Sequence, residues 1–313
     1  MTMAKHIANT CIVDTYYALT LYLLYAGNEE IERTHFFVGN TIDDGTAQKL
    51  PHCTKIKRVK STLLFRIKAA VKWPFIRHTK IYAQDHIRIA NGLIGRNKYT
   101  LIEDAPGVFA IYDKVAFLRI YEVSKWKRFK YGPVYQRHMG MNLQCVNRLI
   151  TEYCDCDALR GKRYERLDLR SLWQQADTAK QDFMRSVFGI GQPSGGCDTI
   201  VFSQPLTIDC GLSDDEMADV YRPYIDKYAG HVIVKPHPRD TFDWQARFPE
   251  VKILKTKAPM QLLCAMGYDF KTAVTVTSTA ISAMPADTKI IWIGSAVNEK
   301  IRKVYGDIKN PRE

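Results

Sequence analysis

Short apolar runs alternate with helical stretches along the first half of the chain. The run at residues 6–13 predicts a strand, and the apolar segment at 16–25 predicts the helix that follows it. Further strands are predicted at residues 34–40, 80–86, 98–107 and 163–169, and the rest of 140–190 is predicted to be mostly helical. Strands separated by helical stretches indicate a parallel α/β sheet.

The second half repeats this alternation more cleanly. Strands are predicted at residues 198–206, 231–235, 251–256, 272–280 and 289–294, and helices at 213–230 and 258–267. Ser213 suits the first of these helices as its N-cap, and the three acidic residues that follow it complement the helix dipole.

Glycine, proline and serine are dense in GIGQPSGGCD, residues 189–198, which is the best candidate for a domain boundary. A chain of 313 residues is long enough for two domains. We therefore predict an α/β protein with two Rossmann-like, parallel-sheet domains, at residues 1–190 and 191–313. Ligands in such folds bind outside the carboxyl ends of the strands, so the two sheets are expected to face a cleft.

Composition adds a charge imbalance to this picture. The net charge is +12, which favours an anionic partner. The eight cysteines are scattered without a CxxC pair, so a zinc site is disfavoured and no metal site is predicted. Their distribution also indicates a reducing cytoplasm. No apolar run reaches the roughly 18 residues of a membrane span, and the N-terminus lacks a signal-peptide pattern. A cytoplasmic protein is predicted.

Basic residues are concentrated in the segment 55–80, which carries nine lysines and arginines and no acid. Its apolar residues fall at helical spacing, and the segment 124–132 repeats the mixture of basic and aromatic residues. Two interpretations remain open. The segment is a basic amphipathic helix on the anionic surface of the inner membrane, or it packs on the sheet and exposes a solvated basic face. Nucleic acid is not a predicted partner, because the usual binding motifs are missing from the sequence.

Polar side chains gather where the predicted strands end, which is where an α/β binding cleft requires them. They are Asn9 and Thr10, Glu103 and Asp104, Ser203 and Gln204, Lys235 with His237, Pro238 and Arg239, and the hydroxyl residues Thr277, Ser278 and Thr279. Each has a structural alternative, because caps and turns use the same residue types. Lys235 is predicted only to end a strand and is not included in the candidate site.

The segment IVKPHPRD, residues 233–240, raises the sharpest chemical question. Prolines on both sides of His237 restrict the backbone, so the imidazole is presented stiffly from a loop. A histidine can give a hydrogen bond or a proton to a phosphate leaving group, and Arg239 can bind the same anion with two hydrogen bonds. The alternative is a solvated basic turn in which Asp240 pairs with Arg239, and the spacing alone leaves both open.

Hydroxyl and acidic residues could serve the same reaction. Ser278 and Thr279 follow a β-branched run and open a predicted helix, so they bind an anion or simply cap that helix. Asp104 lies in LIEDAPGVF and Asp209 lies in PLTIDCG. Either carboxylate can act as a general base at a cleft, and the alternative for each is an acidic turn.

Taken together, four segments resemble the bacterial glycosyltransferase family 52, which contains lipooligosaccharide and capsule sialyltransferases. They are SQPL (203–206), IVKPHPRD (233–240), APMQLL (258–263) and TSTA (277–280). Residues 7–24 are similar to that family's opening strand and helix, and IEDAPG at 102–107 is similar to its acidic-acidic-glycine motif. Here Ala105 and Pro106 stand between the acidic pair and the glycine.

The resemblance implies a GT-B fold with an N-terminal acceptor-side domain and a C-terminal nucleotide-sugar domain. It implies an inverting transfer of sialic acid from CMP-sialic acid to a cell-surface glycan, without a metal or other cofactor, by a homodimer. His237 would contact the CMP phosphate and help it depart, and Asp104 or its rival Asp209 would deprotonate the acceptor hydroxyl. The residues expected to bind the donor are Asn9, Thr10, Ser203, Gln204, Pro238, Arg239, Ser278 and Thr279.

Two alternatives stand beside this hypothesis. One is an enzyme of the same fold that uses a UDP-sugar or another nucleotide-sugar donor. The other is a basic membrane- or nucleic-acid-binding module without catalysis. The hydroxyl and acidic residues at the strand ends argue against the second alternative, because a binding module has no need of them.

Overall fold

A computed structural model describes residues 7–56, 71, 76, 78–84, 90, 93–94, 97–106, 146–151, 164–191, 195–308 and 310. The chain divides into two compact units, Met1–Val187 and Phe188–Glu313. Each unit contains one fully parallel sheet. Most of the basic segment 55–80 and all of 124–132 lie outside the described residues.

Among the described residues, the sheet of the first unit has seven strands in the order β3-β2-β1-β4-β5-β6-β7. They are β1 (Asn9–Val13), β2 (Thr34–Val38), β3 (Cys53–Lys55), β4 (Lys80–Ala83), β5 (Tyr99–Ile102), β6 (Val146–Thr151) and β7 (Tyr164–Arg166). The strand order reverses between β1 and β4. In open parallel sheets the ligand site lies beside such a reversal, at the carboxyl ends of the strands.

The described helices of the first unit include α1 (Tyr16–Tyr25), α2 (Asn28–Glu32), α3 (Asp44–Lys49), α4 (Leu169–Gln175) and α5 (Thr178–Phe188). The first helix, α1, is apolar on nearly all sides and largely buried, as expected of a core helix. Its N-cap is Thr15, whose hydroxyl oxygen accepts from the amide of Ala18 at 3.2 Å. At its other end the Lys180 ammonium donates to the carbonyls of Leu24 and Ala26 at 2.9 and 2.7 Å.

The sheet of the second unit has five strands in the order β10-β9-β8-β11-β12. They are β8 (Thr199–Phe202), β9 (Val232–Lys235), β10 (Lys252–Ile253), β11 (Thr272–Thr275) and β12 (Lys289–Trp292). Helices are α6 (Leu206–Asp209), α7 (Asp214–Lys227), α8 (Trp244–Arg247), α9 (Met260–Ala265) and α10 (Glu299–Tyr305), with 3-10 helices at Thr279–Ala283 and Ser295–Val297. The order reverses between β8 and β11.

The core on one face of this sheet explains why α7 forms where it does. Its first turn carries a capping box, in which the Ser213 hydroxyl accepts from the Glu216 amide and the Glu216 carboxylate accepts from the Ser213 amide. Met217 and Tyr221 of the helix are fully buried in a cluster with Val201, Val234 and Val274 of the three central strands. Since side chains alternate along a strand, the neighbours of these valines point to the other face.

Two sequence predictions differ from the structure here. Residues 146–151 form β6, whereas the sequence predicts this region as mostly helical. Val146, Leu149 and Ile150 have the i, i+3, i+4 spacing of a helix, and only pairing with β5 and β7 makes the segment a strand. The strand β3 was also not predicted, because three residues are too few for a periodic signal.

None of the described helices is long and apolar enough to cross a membrane.

Gly39 follows β2 at a point where the chain leaves no room for a side chain. A Cβ there would lie 2.8 Å from the Cβ of Asp14, and the rest of that side chain would overlap it. The Asp14 carboxylate is itself held, because it accepts from the amide of Thr41 at 3.0 Å.

Gly39→Ala should therefore destabilise the protein by about 1–3 kcal/mol, through overpacking and the loss of the Asp14–Thr41 hydrogen bond. The measurement is urea unfolding of the purified variant. Gly191→Ala is the matched control, since a Cβ at Gly191 meets no atom of the described residues within 4 Å. Equal midpoints for the two variants would show that the overlap relaxes freely.

Candidate active site

His237 is held in a tight turn that follows β9. The carbonyl oxygen of His237 accepts from the amide of Asp240 at 2.8 Å, which closes a four-residue β-turn. Pro238 occupies the second position of this turn, where its fixed φ is suited to the turn geometry. The structure therefore confirms that a proline-restricted loop presents His237.

Ser203 anchors this turn from beneath. It directly follows β8 and is buried, and its oxygen accepts from the amide of His237 at 3.0 Å. The Ser203 hydroxyl donates to the Asp240 carboxylate. Asp240 also accepts from the amide of Phe242 at 3.0 Å and from the indole N–H of Trp244 at 2.9 Å. The turn is thus tied to β8 and α8, and the proton of Ser203 is used inside this network.

The tautomer of His237 follows from one backbone contact. The amide of Arg239 donates to Nδ1 of His237 at 3.1 Å, so the neutral ring carries its proton on Nε2. Burial lowers the pKa of His237, the positive charges of Arg239 and Lys235 lower it further, and Asp240 and Asp209 oppose them. Near pH 7 the side chain is therefore a neutral imidazole with one N–H to donate.

The basic-turn alternative assumed that Arg239 pairs with Asp240, whereas in the structure Arg239 pairs with Asp209. Its guanidinium donates to both carboxylate oxygens of Asp209, at 2.9 and 2.8 Å, and the Tyr305 hydroxyl donates to one of them at 3.1 Å. These hydrogen bonds, first that of Arg239, lower the pKa of Asp209. A carboxylate held in this way is a weak base. The pair ties the His237 turn to α6 and to the end of α10.

Asp209→Asn should therefore loosen the turn without removing a catalytic group. We expect a rise in KM for the donor of about 3- to 10-fold, because the ion pair is largely solvent-exposed, with kcat reduced less than that. Steady-state kinetics with the donor varied will measure both constants. Tyr305→Phe, which removes only one hydrogen bond, is the matched control and should change KM about twofold or less.

The hydroxyl cluster after β11 is built around a cap. The buried Thr275 hydroxyl donates to the carbonyl of Phe202 at 3.3 Å and accepts from the amide of Ser278 at 3.0 Å. The Ser278 oxygen accepts from the amide of Ala280 at 3.2 Å and so caps the 3-10 helix, which confirms the capping alternative for Ser278. Its hydroxyl proton can still be donated to an anion, since a hydroxyl both donates and accepts. Thr279 is exposed.

The carboxyl edge of the second sheet therefore brings most of the predicted donor-binding residues together. Ser203 leaves β8 and Ser278 follows β11, which are adjacent strands at the reversal of the strand order. The His237 turn leaves β9, the next strand along. Gln204 connects β8 to α6, where its carbonyl accepts from the amide of Leu206 at 2.8 Å.

Asn9 and Thr10 do not lie where a strand ends, and this prediction is wrong. They open β1, at the amino edge of the first sheet, and both are buried. The Asn9 amide donates to the carbonyl of Glu30 at 3.4 Å, and the Thr10 hydroxyl lies 2.8 Å from that of Thr79. The strand continues past these polar residues because both find partners inside the fold.

Asp104 stands at the carboxyl edge of the first sheet, just after β5. Gln84, a fully buried residue at the end of β4, donates to the Asp104 carboxylate and to the hydroxyl of Thr15, the latter at 3.1 Å. Thr15 in turn donates to the carbonyl of Asp104 at 3.1 Å. Asp104 is half-buried, whereas its neighbour Glu103 is fully buried and accepts from the hydroxyl of Tyr17 at 3.0 Å. Of this acidic pair, Asp104 is the accessible member.

Sequence reasoning missed Gln84, which holds the loops at this edge together. Its side-chain oxygen accepts from the amides of Asp14 and Thr15, and its nitrogen serves Asp104. Its position in the sequence could have identified it, because Gln84 directly follows the apolar residues of the predicted strand that begins at Lys80.

The family model Glycosyltransferase family 52 matches residues 32–294, which is most of the chain. The chain belongs to glycosyltransferase family 52. The protein is therefore a glycosyltransferase, which removes the non-enzymatic alternative. An uncharacterized protein of Haemophilus influenzae is 26% identical to this family 52 enzyme over 261 residues, which is 81% of each chain.

Solved structures of bacterial sialyltransferases are similar to the family 52 enzyme. A sialyltransferase from Photobacterium damsela superposes with a TM-score of 0.62 at 14% identity, covering 95% of this chain and 78% of that one. The GT-B domain of a sialyltransferase from Photobacterium damselae superposes with a TM-score of 0.60 at 15% identity, covering 90% and 89%. At such identities the likeness concerns the fold alone, and it confirms the two-domain α/β GT-B fold.

Proposed function

We propose that this family 52 enzyme is a sialyltransferase that moves sialic acid from CMP-sialic acid to a hydroxyl of a cell-surface glycan, in lipooligosaccharide or capsule. The transfer inverts the anomeric configuration and needs no metal. The observation that carries the proposal is the His237 turn, which holds a neutral imidazole with one N–H to donate at the carboxyl edge of the second sheet, the edge at which Ser278 also lies.

The chemistry of sialyl transfer suits these groups. As the bond to the phosphate breaks, positive charge grows on the sugar and negative charge grows on the departing phosphate. Donors that are already oriented towards that phosphate lower the barrier, because no reorganisation is needed when the charge develops. In this proposal the Nε2–H of His237 and the hydroxyls of Ser278 and Thr279 bind the phosphate.

Asp104 is the base that takes the proton of the acceptor hydroxyl in this proposal. Its rival Asp209 is less suited, because Arg239 and Tyr305 occupy both its oxygens and lower its pKa. Asp104 is half-buried at the carboxyl edge of its own sheet, where Gln84 and Thr15 fix its position.

The proposal is tested by incubating the purified protein with CMP-sialic acid or with UDP-sugars, in the presence and absence of EDTA. We expect CMP release from CMP-sialic acid that is unaffected by EDTA, faster when a glycan acceptor is added. The linkage formed is then examined by NMR for inversion. Release of UDP alone would instead support the alternative donor class, and the family 52 assignment would be unaffected.

Location and assembly belong to the same proposal. A cytoplasmic enzyme that acts on a surface glycan meets its acceptor at the inner membrane, and a net charge of +12 favours an anionic lipid surface. We propose peripheral binding there by a homodimer. Flotation with vesicles containing anionic lipid, at low and high salt, tests the first point, and analytical ultracentrifugation tests the second.

A further inference from the structure

Lys235, the last residue of β9, stands two residues before His237. Val232 and Val234 of the same strand pack into the core with α7, so the side chain of Lys235 points to the opposite face of the sheet. This face carries no part of that core.

The strand register places polar and aromatic side chains beside Lys235. Lys235 pairs with Phe202 of β8, and Phe202 pairs with Thr275 of β11. Register partners in a parallel sheet point to the same face, so the three side chains form a row along the carboxyl edge. Thr275 is the residue that holds Ser278 in place, so this row links the His237 turn to the hydroxyl cluster.

Lys235 lacks a compensating charge among the described residues. Within that part of the chain its ammonium makes no hydrogen bond and no ion pair with an acid. It is partly buried, and burial together with the positive charge of Lys257 lowers its pKa to about 8. A cation that burial and a like charge both disfavour contributes nothing to the stability of the unliganded protein.

The surroundings indicate what would compensate this charge. Lys235 ends β9 two positions before His237, and its positive charge contributes to the lowered pKa of His237. Both leave the carboxyl edge of the sheet, where ligands of such folds bind. A lysine ammonium is a point charge with three donors, which suits a phosphate or carboxylate oxygen.

We propose that the Lys235 ammonium binds an oxyanion of the nucleotide-sugar donor, beside the phosphate that His237 serves. This inference rests on the proposed function. In CMP-sialic acid the anomeric carbon bears both the phosphate oxygen and a carboxylate, so two oxyanions lie within a few ångströms of each other. His237 and Ser278 are proposed to bind the phosphate, so the carboxylate of the donor is a second anion that still needs a binding partner.

The test measures the affinity of Lys235→Met for cytidine, for CMP and for a non-hydrolysable analogue of CMP-sialic acid, by calorimetry. Affinity for an anionic ligand should fall about 10- to 100-fold, as for a hydrogen bond to a charged group, and affinity for cytidine should not change. A loss that appears with CMP identifies the phosphate as the partner. A loss that appears only with the sialic acid analogue identifies the carboxylate.

Two control variants separate binding from a structural role. Lys289→Met removes the same charge from an exposed position at the amino end of β12 in the same sheet, and should leave all affinities unchanged. Lys235→Arg should retain most of the affinity. Without ligand, Lys235→Met should melt at the same temperature as the parent protein or higher, because an uncompensated cation has been removed.

Unchanged affinity of folded Lys235→Met for every ligand that the parent protein binds would overturn the inference. If the parent protein binds UDP and none of the cytidine ligands, the proposed function fails, and the same variant is titrated with UDP and uridine. A 10-fold loss for UDP but not for uridine would then still support an oxyanion partner for Lys235. Equal binding of both by the variant and the parent would overturn it.

Discussion

His237→Ala should lower kcat for CMP release by about 10²- to 10³-fold, with a much smaller rise in KM for the donor. The reason is that the Nε2–H of His237 serves a charge that develops only as the phosphate departs, so its loss acts on the transition state more than on the bound donor. Steady-state kinetics and calorimetry with CMP will separate the two effects. Full turnover in the variant would remove His237 from the mechanism.

The fold should tolerate the replacement of His237 by alanine. The turn is held by the amide and carbonyl of His237, through Ser203 and Asp240, and these two bonds remain when the imidazole and its bond from the amide of Arg239 are removed. His237→Gln offers an amide N–H in place of Nε2–H and should recover part of the lost rate. A variant that is merely unfolded would show no such recovery.

The pH profile gives an independent check on the same residue. Because the pKa of His237 lies below its ordinary value, the folded protein favours the neutral ring. The imidazolium form is disfavoured in the folded protein, so stability present above the ordinary pKa of about 6.5 is lost as the pH falls from there through the lower pKa of the folded protein. The neutral imidazole carries the Nε2–H that binds the phosphate. Loss of the second proton from the imidazolium form therefore causes no loss of rate, and His237 should contribute no change in rate between pH 7 and 8.

Local signals in the sequence predicted the elements that carry the site. The prediction of α1 at residues 16–25 is confirmed to the residue, because Thr15 supplies a cap and the apolar run ends with the helix. The end of β9 and the restricted loop after it are also confirmed, since prolines cannot continue the ladder of hydrogen bonds. These features depend on neighbours within a few positions along the chain.

Contacts between distant positions were beyond the same reasoning. The partner of Arg239 is Asp209, 30 positions away, rather than the adjacent Asp240. Gln84 meets Asp104 only because β4 and β5 are neighbours in the sheet. Pairing of strands also decides that Asn9 opens β1 instead of ending it. Each outcome depends on which elements become adjacent, which a single sequence leaves undetermined.

Asp104→Asn should lower kcat for transfer to a glycan acceptor by about 10²- to 10⁴-fold, as expected when a general base is removed. Affinity for CMP should stay within twofold of the parent protein, because His237, Ser278 and Thr279, which are proposed to bind the phosphate, belong to the second unit. The substitution preserves the local structure, since the asparagine oxygen can still accept from Gln84. Kinetics with varied acceptor and calorimetry with CMP supply the two measurements.

The comparison with Asp209→Asn decides which carboxylate is the base. Both substitutions remove one negative charge and keep an oxygen acceptor, so they differ in position alone. The base should show a loss in kcat, whereas a residue that only supports Arg239 should show its effect in KM. A 10²-fold or greater loss of kcat in Asp209→Asn, with Asp104→Asn near the parent value, would transfer the role of base to Asp209. The bidentate bond to Arg239 would then have to weaken during turnover, because that bond lowers the pKa of Asp209 and makes it a weaker base.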